Sequence, residues 1–172
     1  MATGTRPGMM VGEKEHHIQG DMLKVGDQAP DFNMTANNWT TKSLTDYEGK
    51  VKIISCVPSL DTRVCAAQTR RFNEEASKLS EDVVILTVSA DLPYAQRRWC
   101  AAEGIERTET LSSHLDMSFA DSYGVHDTDF RITQRAVFVL DKNNFVQLAE
   151  YIPVIGQEIN FDVALAKARE LV

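Results

Sequence analysis

A cysteine stands where a helix is predicted to begin, directly after a buried strand. In the stretch VPSLDTRVC, residues 57–65, Pro58 ends the strand-like run and stiffens the loop that follows. Asp61 or Thr62 could cap the helix, which places Cys65 in its first turn. The unpaired N–H groups and the positive end of the helix dipole favour a thiolate there, and a partly exposed thiolate is a nucleophile. Position alone equally allows a small buried hydrophobic side chain on the inner face of the helix.

The elements around this cysteine alternate between strands and helices. β-Branched apolar runs at 50–57 and 83–90 predict two strands that are buried on both faces. A helical pattern follows each strand, at 62–79 and at 93–104. The second helix has a proline where its first turn is expected and a glycine where it should end.

The second half of the chain predicts a hairpin between two helices. RAVFVLD and FVQLAEY, separated by KNN, predict antiparallel strands, and helices are expected at 115–124 and 160–171. A βαβ unit followed by ββα predicts an α/β, thioredoxin-like fold with a mainly parallel central sheet, an antiparallel edge hairpin and helices on both faces. Ligands of open α/β sheets bind beyond the carboxyl ends of the strands, where the loop 58–64 lies.

Composition indicates one globular domain. The 172 residues predict a domain over 25–172, preceded by an N-terminal arm or hairpin at 1–24. The net charge is −7, which disfavours nonspecific binding to nucleic acid or to an anionic membrane surface. The sequence has neither a signal-peptide pattern nor a transmembrane run, so a cytoplasmic location is expected.

The remaining thiols and the histidines support less specific interpretations. Three cysteines are too few for a disulfide scaffold. Cys100 lies on the second predicted helix and could simply pack beside Trp99, while Cys56 lies in an apolar strand and is interpreted as a packed core thiol. His16 and His17 are interpreted as solvated surface side chains, and neither a metal site nor a cofactor-binding motif is predicted.

Three blocks of sequence resemble a known family. PSLDTRVC matches the Pro-x-x-x-Thr-x-x-Cys signature of the peroxiredoxins. The longer run PSLDTRVCAAQTRRFNEEA, with VSADLPYAQRRWCAAEGIE and RAVFVLD, resembles the thiol peroxidase subfamily of atypical two-cysteine enzymes. The resemblance extends from about Val25 to the C-terminus. The stretch GVHDTDFRITQ, between Tyr123 and Arg135, departs from it because it is shorter and more polar than the family's usual loop.

The resemblance implies a role for each matching residue. Cys65 is expected to be the peroxidatic cysteine, whose thiolate attacks a peroxide oxygen and becomes a sulfenic acid. Thr62 is expected to hold the thiolate and the peroxide, and Pro58 to shield the sulfur from water. Arg135 is expected to supply positive charge, although without the resemblance it would be interpreted as part of a surface ion pair. Cys100 is expected to resolve the sulfenic acid by forming an intramolecular disulfide with Cys65.

The resemblance also implies the reaction and the partners. The chain is expected to reduce hydrogen peroxide and organic hydroperoxides without a cofactor, to be reduced by thioredoxin, and to form a homodimer. A disulfide requires α-carbons within roughly 7 Å of each other, which two separate helices seldom provide. One or both helix ends are therefore expected to unwind during the cycle.

Two other functions fit the same residues. A thiol-disulfide exchange enzyme or a redox-sensing protein would use the same fold, and a noncatalytic interaction domain would need no reactive thiol. Disulfide exchange normally places two cysteines at the helix start, whereas Val64 and Ala66 flank Cys65. A sensor would use both thiols without rapid turnover, so turnover with a peroxide separates the two redox functions.

Overall fold

Strands and helices alternate in the computed structural model of the protein, which describes residues 6–172. The strands are β1 (Arg6–Val11), β2 (Lys14–Gln19), β3 (Met34–Ala36), β4 (Thr41–Lys42), β5 (Val51–Cys56), β6 (Val83–Ser89), β7 (Glu109–Ser112), β8 (His126–Asp127), β9 (Ile132–Thr133), β10 (Ala136–Leu140) and β11 (Val146–Tyr151). The helices are α1 (Arg63–Ala76), α2 (Pro93–Glu103), α3 (Ser118–Ser122) and α4 (Phe161–Glu170), and a 3₁₀ turn covers Leu44–Tyr47. Over this range, no helix combines the length and the apolar character that crossing a bilayer requires.

The central sheet has seven strands in the order β11-β10-β5-β6-β7-β3-β4. Its three middle strands, β5, β6 and β7, are parallel, because α1 and α2 connect them as crossovers. The pairings of β10 with β5 and with β11, and of β3 with β7 and with β4, are antiparallel. The predicted α/β, thioredoxin-like arrangement is confirmed, but the sheet is mixed and not mainly parallel.

Helices cover both faces of this sheet, as predicted. On one face, α1 and α4 pack over the buried residues Ile53 and Val137, and the rings of Phe72 and Phe161 lie 5.2 Å apart. On the other face, Phe119 of α3 belongs to a larger buried cluster with Ile54, Leu86 and other side chains of the central strands. The alternation of side chains along each strand therefore separates two apolar cores.

The helices that follow the two parallel strands begin and end near their predicted bounds. Thr62 is the N-cap residue of α1 and has an extended backbone. Pro93 is the first residue of α2, where its missing N–H costs no helical hydrogen bond. Gly104 ends α2 with φ 67°, a left-handed conformation that favours glycine. Both thiol-bearing helices therefore begin beyond the carboxyl end of a parallel strand, α1 after β5 and α2 after β6.

A second, smaller sheet joins the start of the chain to the polar stretch at 124–134. The hairpin of β1 and β2 pairs through β2 with β8, which in turn pairs with β9. Residues 1–5 of the predicted arm lie outside the described residues, and the division into an arm and one domain stays a prediction. His17 is exposed, but the interpretation of His16 as a solvated side chain is wrong, because it is 2 % exposed and lies 2.7 Å from an Asp127 carboxylate oxygen.

Candidate active site

Cys65 lies in the first turn of α1, just beyond the carboxyl end of β5. It is the third residue of the helix, and its side chain is 0 % exposed. Val57 and Leu60 form a small buried cluster with Cys65, and Trp99 of α2 packs against that cluster. The expected position in the first helical turn is confirmed, whereas the expected partial exposure is wrong. In this conformation apolar side chains cover the sulfur.

A buried guanidinium points at this sulfur. Arg135 is 1 % exposed, and its Nη2 donates to the Cys65 Sγ at 3.2 Å and to the Ile155 carbonyl oxygen at 3.1 Å. Its Nη1 donates to Gln68 Oε1 at 2.9 Å. Among residues 6–172, no carboxylate lies within ion-pair distance of Arg135. The interpretation of Arg135 as part of a surface ion pair is therefore wrong, because the side chain is buried and has no carboxylate partner in this range. Among the groups that Arg135 contacts, Cys65 is the one that can carry a compensating negative charge.

Gln68 orients the Arg135 guanidinium, a role that the sequence analysis did not predict. It lies one turn after Cys65 on α1, is 2 % exposed, and its Nε2 donates to Ser55 Oγ on β5 at 2.7 Å. Its Oε1 is thereby directed at Arg135. The available signal was its spacing, because a residue three positions after Cys65 lies on the same helix face. A polar residue at such a buried position needs hydrogen-bond partners, which here are Ser55 and Arg135.

Thr62 and Pro58 lie on the loop that leads to Cys65. The Thr62 hydroxyl donates to the Ser59 carbonyl oxygen at 3.0 Å, and the residue is exposed. Pro58 is buried next to Val57, whose side chain contacts the Cys65 cluster. The structure thus brings Arg135 to the sulfur directly, while the hydroxyl proton of Thr62 is directed at a backbone carbonyl.

Cys100 faces a different part of the molecule. It is 8 % exposed, its Sγ lies 3.6 Å from Thr110 Oγ1 on β7, and it lines a cavity of about 580 Å³ together with Asn37. Strands β5 and β6 lie between β7 and β10, the strand that Arg135 precedes. The two sulfurs therefore contact groups on or next to different strands of the sheet. The thiols of Cys65 and Cys100 are both free in this conformation.

Because Cys100 is buried, we expect its alkylation to require a higher pH than that of an ordinary cysteine. Burial raises the pKa of this thiol, against a smaller opposing effect of hydrogen bonds from Thr110 and Asn37. A raised pKa leaves less thiolate at neutral pH, so iodoacetamide should react with folded Cys100 along a curve displaced to higher pH than the ordinary midpoint of about 8.5. The measurement uses a Cys56→Ala, Cys65→Ser variant with and without urea. Coincident curves, or a folded curve at lower pH, would contradict the burial effect.

Cys56 belongs to the core, as predicted. It is 0 % exposed in β5 and lies in the larger apolar cluster. Burial strongly raises the pKa of its thiol, which keeps the sulfur protonated and unreactive. Its side chain lies on the face of the sheet that carries α3, whereas Ser55, the next residue, contacts Gln68 on the opposite face. Proximity in sequence to the Cys65 loop therefore does not make Cys56 part of the site.

One cluster of residues has the composition of a metal site. Ligand atoms of His16, Asp127 and Asp129 lie within 4.8 Å of one another. The Asp127 Oδ2 atom is paired with the His16 ring, and its Oδ1 accepts from the amide groups of Asp129 and Phe130. These bonds join β2 to the β8–β9 turn and satisfy the buried carboxylate, so the cluster has a structural explanation.

Comparisons with known proteins give consistent matches. A family model described as the AhpC/TSA family matches residues 25–149. The thiol peroxidase of Bacillus subtilis (strain 168) is 54% identical over 155 residues, which cover 90% of this chain and 92% of that protein. The thiol peroxidase of Staphylococcus aureus (strain MRSA252) is 48% identical over 155 residues, 90% of this chain and 93% of that protein.

Solved structures agree on the fold. A peroxiredoxin-like protein from Aquifex aeolicus superimposes with a TM-score of 0.85 at 34% identity, covering 91% of this chain and 92% of that one. A thiol peroxidase from Chromobacterium violaceum superimposes with a TM-score of 0.83 and covers 94% of this chain and 95% of that one. Its identity of 19% means that this second likeness bears on the fold alone.

Proposed function

Because this chain belongs to the AhpC/TSA family and is a thiol-dependent peroxidase of the peroxiredoxin type, we propose that Cys65 is the residue that reduces the peroxide. The observation that carries this assignment is the contact between Arg135 Nη2 and the Cys65 Sγ, in a buried site where the guanidinium has no carboxylate within ion-pair distance among residues 6–172. A buried charge needs a partner of opposite charge, and the Cys65 thiolate provides one.

The proposed first step transfers one oxygen atom. The Cys65 thiolate attacks the nearer oxygen of the hydroperoxide, the S–O bond forms as the O–O bond breaks, and Cys65 becomes a sulfenic acid. The leaving alkoxide or hydroxide takes a proton and departs as an alcohol or water. Negative charge spreads from sulfur onto both oxygens during this step, and preorganised donors around them lower the barrier. Within the described residues, the Arg135 Nε–H is buried without an acceptor, so it remains available to a peroxide oxygen.

Two further residues are assigned supporting roles. We assign Thr62 to hold the peroxide, which requires its hydroxyl proton to turn away from the Ser59 carbonyl. The exposure of Thr62 at the N-terminus of α1 supports this role, because an exposed hydroxyl can contact an incoming substrate. We assign Pro58 to exclude water from the sulfur, because it is buried beside the apolar cluster that covers Cys65. A dry site strengthens the interaction between the guanidinium and the developing charge.

The proposed second step converts the sulfenic acid into a disulfide. The Cys100 thiolate attacks the Cys65 sulfur, the S–S bond forms as the S–O bond breaks, and the sulfenic oxygen leaves as hydroxide, which takes a proton from solvent to become water. Parts of α1, α2 or both unwind first, because the two thiols lie on separate helices with different partners. Cys65 contacts Arg135, which precedes β10, whereas Cys100 contacts Thr110 on β7. Unwinding also exposes Cys100 to water, which removes the burial that raises its pKa.

The partners beyond the peroxide belong to the proposal. We propose that thioredoxin supplies the two electrons that reduce the disulfide, that the protein forms a homodimer, and that it acts in the cytoplasm. Support comes from the resemblance to two-cysteine thiol peroxidases and from the relatives named thiol peroxidase. Exposed apolar side chains near the start of α2, such as Leu92 and Tyr94, offer a surface for contact with a protein.

Disulfide mapping tests the proposed pair of cysteines. The reduced protein is treated with one equivalent of cumene hydroperoxide, free thiols are alkylated after unfolding, and peptides are identified by mass spectrometry. The expected product links Cys65 to Cys100 within one chain and leaves Cys56 alkylated. A Cys100→Ser variant serves as the control and should show no intramolecular link. A link between Cys65 and Cys56, or no link in the unsubstituted protein, would contradict the assignment.

A further inference from the structure

One carboxylate joins the loop before Cys65 to the connection that leads into α2. Asp91 follows β6, and its Oδ1 accepts a hydrogen bond from Ser59 Oγ at 2.8 Å. Its Oδ2 accepts from the Leu60 backbone N–H at 2.9 Å and from Ser89 Oγ at 2.8 Å. Both oxygens of a charged acceptor are thus occupied by donors from two different segments, and such bonds are stronger than those between neutral groups.

Asp91 itself is held by the carboxyl ends of the parallel strands. Ser112 Oγ on β7 donates to the Asp91 carbonyl oxygen at 2.5 Å, and the Ser113 N–H donates to the Ser89 carbonyl oxygen at 3.0 Å. The Asp91 N–H donates to Ser89 Oγ at 3.3 Å. Because strands of a central sheet are the more rigid partner, these bonds fix the carboxylate and leave the loop 58–62 as the part that can move.

The loop residues that Asp91 binds are the ones that determine the surroundings of the sulfur. Leu60 belongs to the buried cluster that covers Cys65. The Ser59 carbonyl oxygen accepts from the Thr62 N–H at 3.2 Å and from the Thr62 hydroxyl at 3.0 Å. A displacement of Ser59 and Leu60 would therefore disturb the buried surroundings of Cys65 and shift Thr62, the residue that caps α1.

We propose that Asp91 is a positioning residue that holds the loop 58–62 closed over Cys65, and that its bonds to Ser59 and Leu60 break when the disulfide forms. The inference rests on the proposed function of Cys65 and Cys100. The closed loop favours the reaction with peroxide, whereas disulfide formation requires the start of α1 to leave its place beside Arg135. Weakening the Asp91 bonds shifts the population toward the open conformation, so the two steps change in opposite directions.

Stopped-flow fluorescence separates the two steps. Trp99 packs against the Cys65 cluster and reports its surroundings, and a Trp39→Phe background removes the second tryptophan. In this background, Asp91→Asn keeps the size of the side chain but replaces one accepting oxygen by a donor. We expect the rate constant for the peroxide-dependent step to fall about tenfold and the peroxide-independent step to become several times faster.

Two further variants separate positioning from a general loss of structure. Ser59→Ala removes one bond to the carboxylate and should shift both rates in the same directions as Asp91→Asn, by about two- to threefold. Ser77→Ala removes a serine hydroxyl bond to the Glu74 carbonyl oxygen, at the opposite end of α1 from Cys65, so both rates should stay within about twofold. If Asp91→Asn does not fold, the opposite shifts in Ser59→Ala decide the question.

The outcomes distinguish this inference from the function on which it rests. Rates that fall together, or do not change, in Asp91→Asn or Ser59→Ala would overturn the positioning role of Asp91 while leaving the chemistry of Cys65 intact. A failure of the proposed function looks different, because the Trp39→Phe protein itself would then show no peroxide-dependent change in Trp99 fluorescence. Opposite changes in the two rates support the inference.

Discussion

Replacing Cys65 with serine is expected to lower peroxide-dependent turnover by more than about a thousandfold, because a serine hydroxyl is not ionised near neutral pH and is a poor nucleophile toward oxygen. The substitution changes one buried atom, since Cys65 is 0 % exposed, and leaves the Arg135 guanidinium in place. Turnover is measured as NADPH oxidation with thioredoxin, thioredoxin reductase and cumene hydroperoxide.

Cys56→Ala is the matched control for this substitution. Both cysteines are fully buried, but Cys56 lies in the core cluster on the other face of the sheet. Removing its sulfur should cost about 1–2 kcal/mol of unfolding free energy and leave turnover near that of the unsubstituted protein. Turnover that survives Cys65→Ser would contradict the assignment, and so would a loss of turnover in a folded Cys56→Ala protein.

Replacing Arg135 with methionine is expected to slow the reaction of Cys65 with peroxide by about 100- to 1000-fold, the usual effect of removing a buried donor from a site where negative charge develops. The substitution removes the donors to Cys65 and Gln68 while it keeps much of the apolar volume of the side chain. Once the guanidinium is gone, the Cys65 sulfur can bind a proton, so no uncompensated charge is left buried and the protein should remain folded. The first phase of a stopped-flow reaction at several peroxide concentrations measures the rate constant.

Arg169→Met controls for the loss of a guanidinium elsewhere. Arg169 is exposed on α4 and pairs only loosely with Glu75, at 3.6 Å, so its replacement should leave the rate constant within about twofold. Arg135→Lys keeps the charge but loses the fork that contacts Cys65 and Gln68 together, and an intermediate rate is expected. A rate constant for Arg135→Met within about threefold of the unsubstituted protein would show that the contact seen here does not assist the chemistry.

The elements that hold the site could be predicted because their sequence patterns are strong. The run KVKIISCV predicts β5 by its β-branched, apolar character, and the glycine and proline at the ends of α2 mark its bounds. The mixed direction of the sheet could not be predicted in the same way. Strands β3 and β4 are three and two residues long, too short for a periodic pattern. The antiparallel pairing of β3 with β7 and of β4 with β3 makes this side of the sheet antiparallel.

In the candidate site, features set by neighbouring residues could be predicted, whereas contacts between residues far apart in the sequence could not. Cys65 could be placed from its neighbours in sequence, whereas its contact with Arg135 spans 70 residues and became an expectation only through the resemblance. The network of Gln68 was missed because a buried glutamine gives no signal until its partners are known. The burial of His16 was not predicted for the same reason, since its hydrogen-bond partner Asp127 is 111 residues away.

The most direct test of the central claim is to identify which sulfur the peroxide oxidises. A Cys100→Ser variant, which cannot form the proposed disulfide, is treated with one equivalent of hydrogen peroxide in the presence of dimedone, a reagent that reacts with sulfenic acids. Peptide mass spectrometry should then find a single dimedone adduct, on Cys65, and the adduct should be largely lost when Arg135→Met is added and the reaction is stopped early. An adduct on Cys56, or no adduct on Cys65 while peroxide is consumed, would contradict the account.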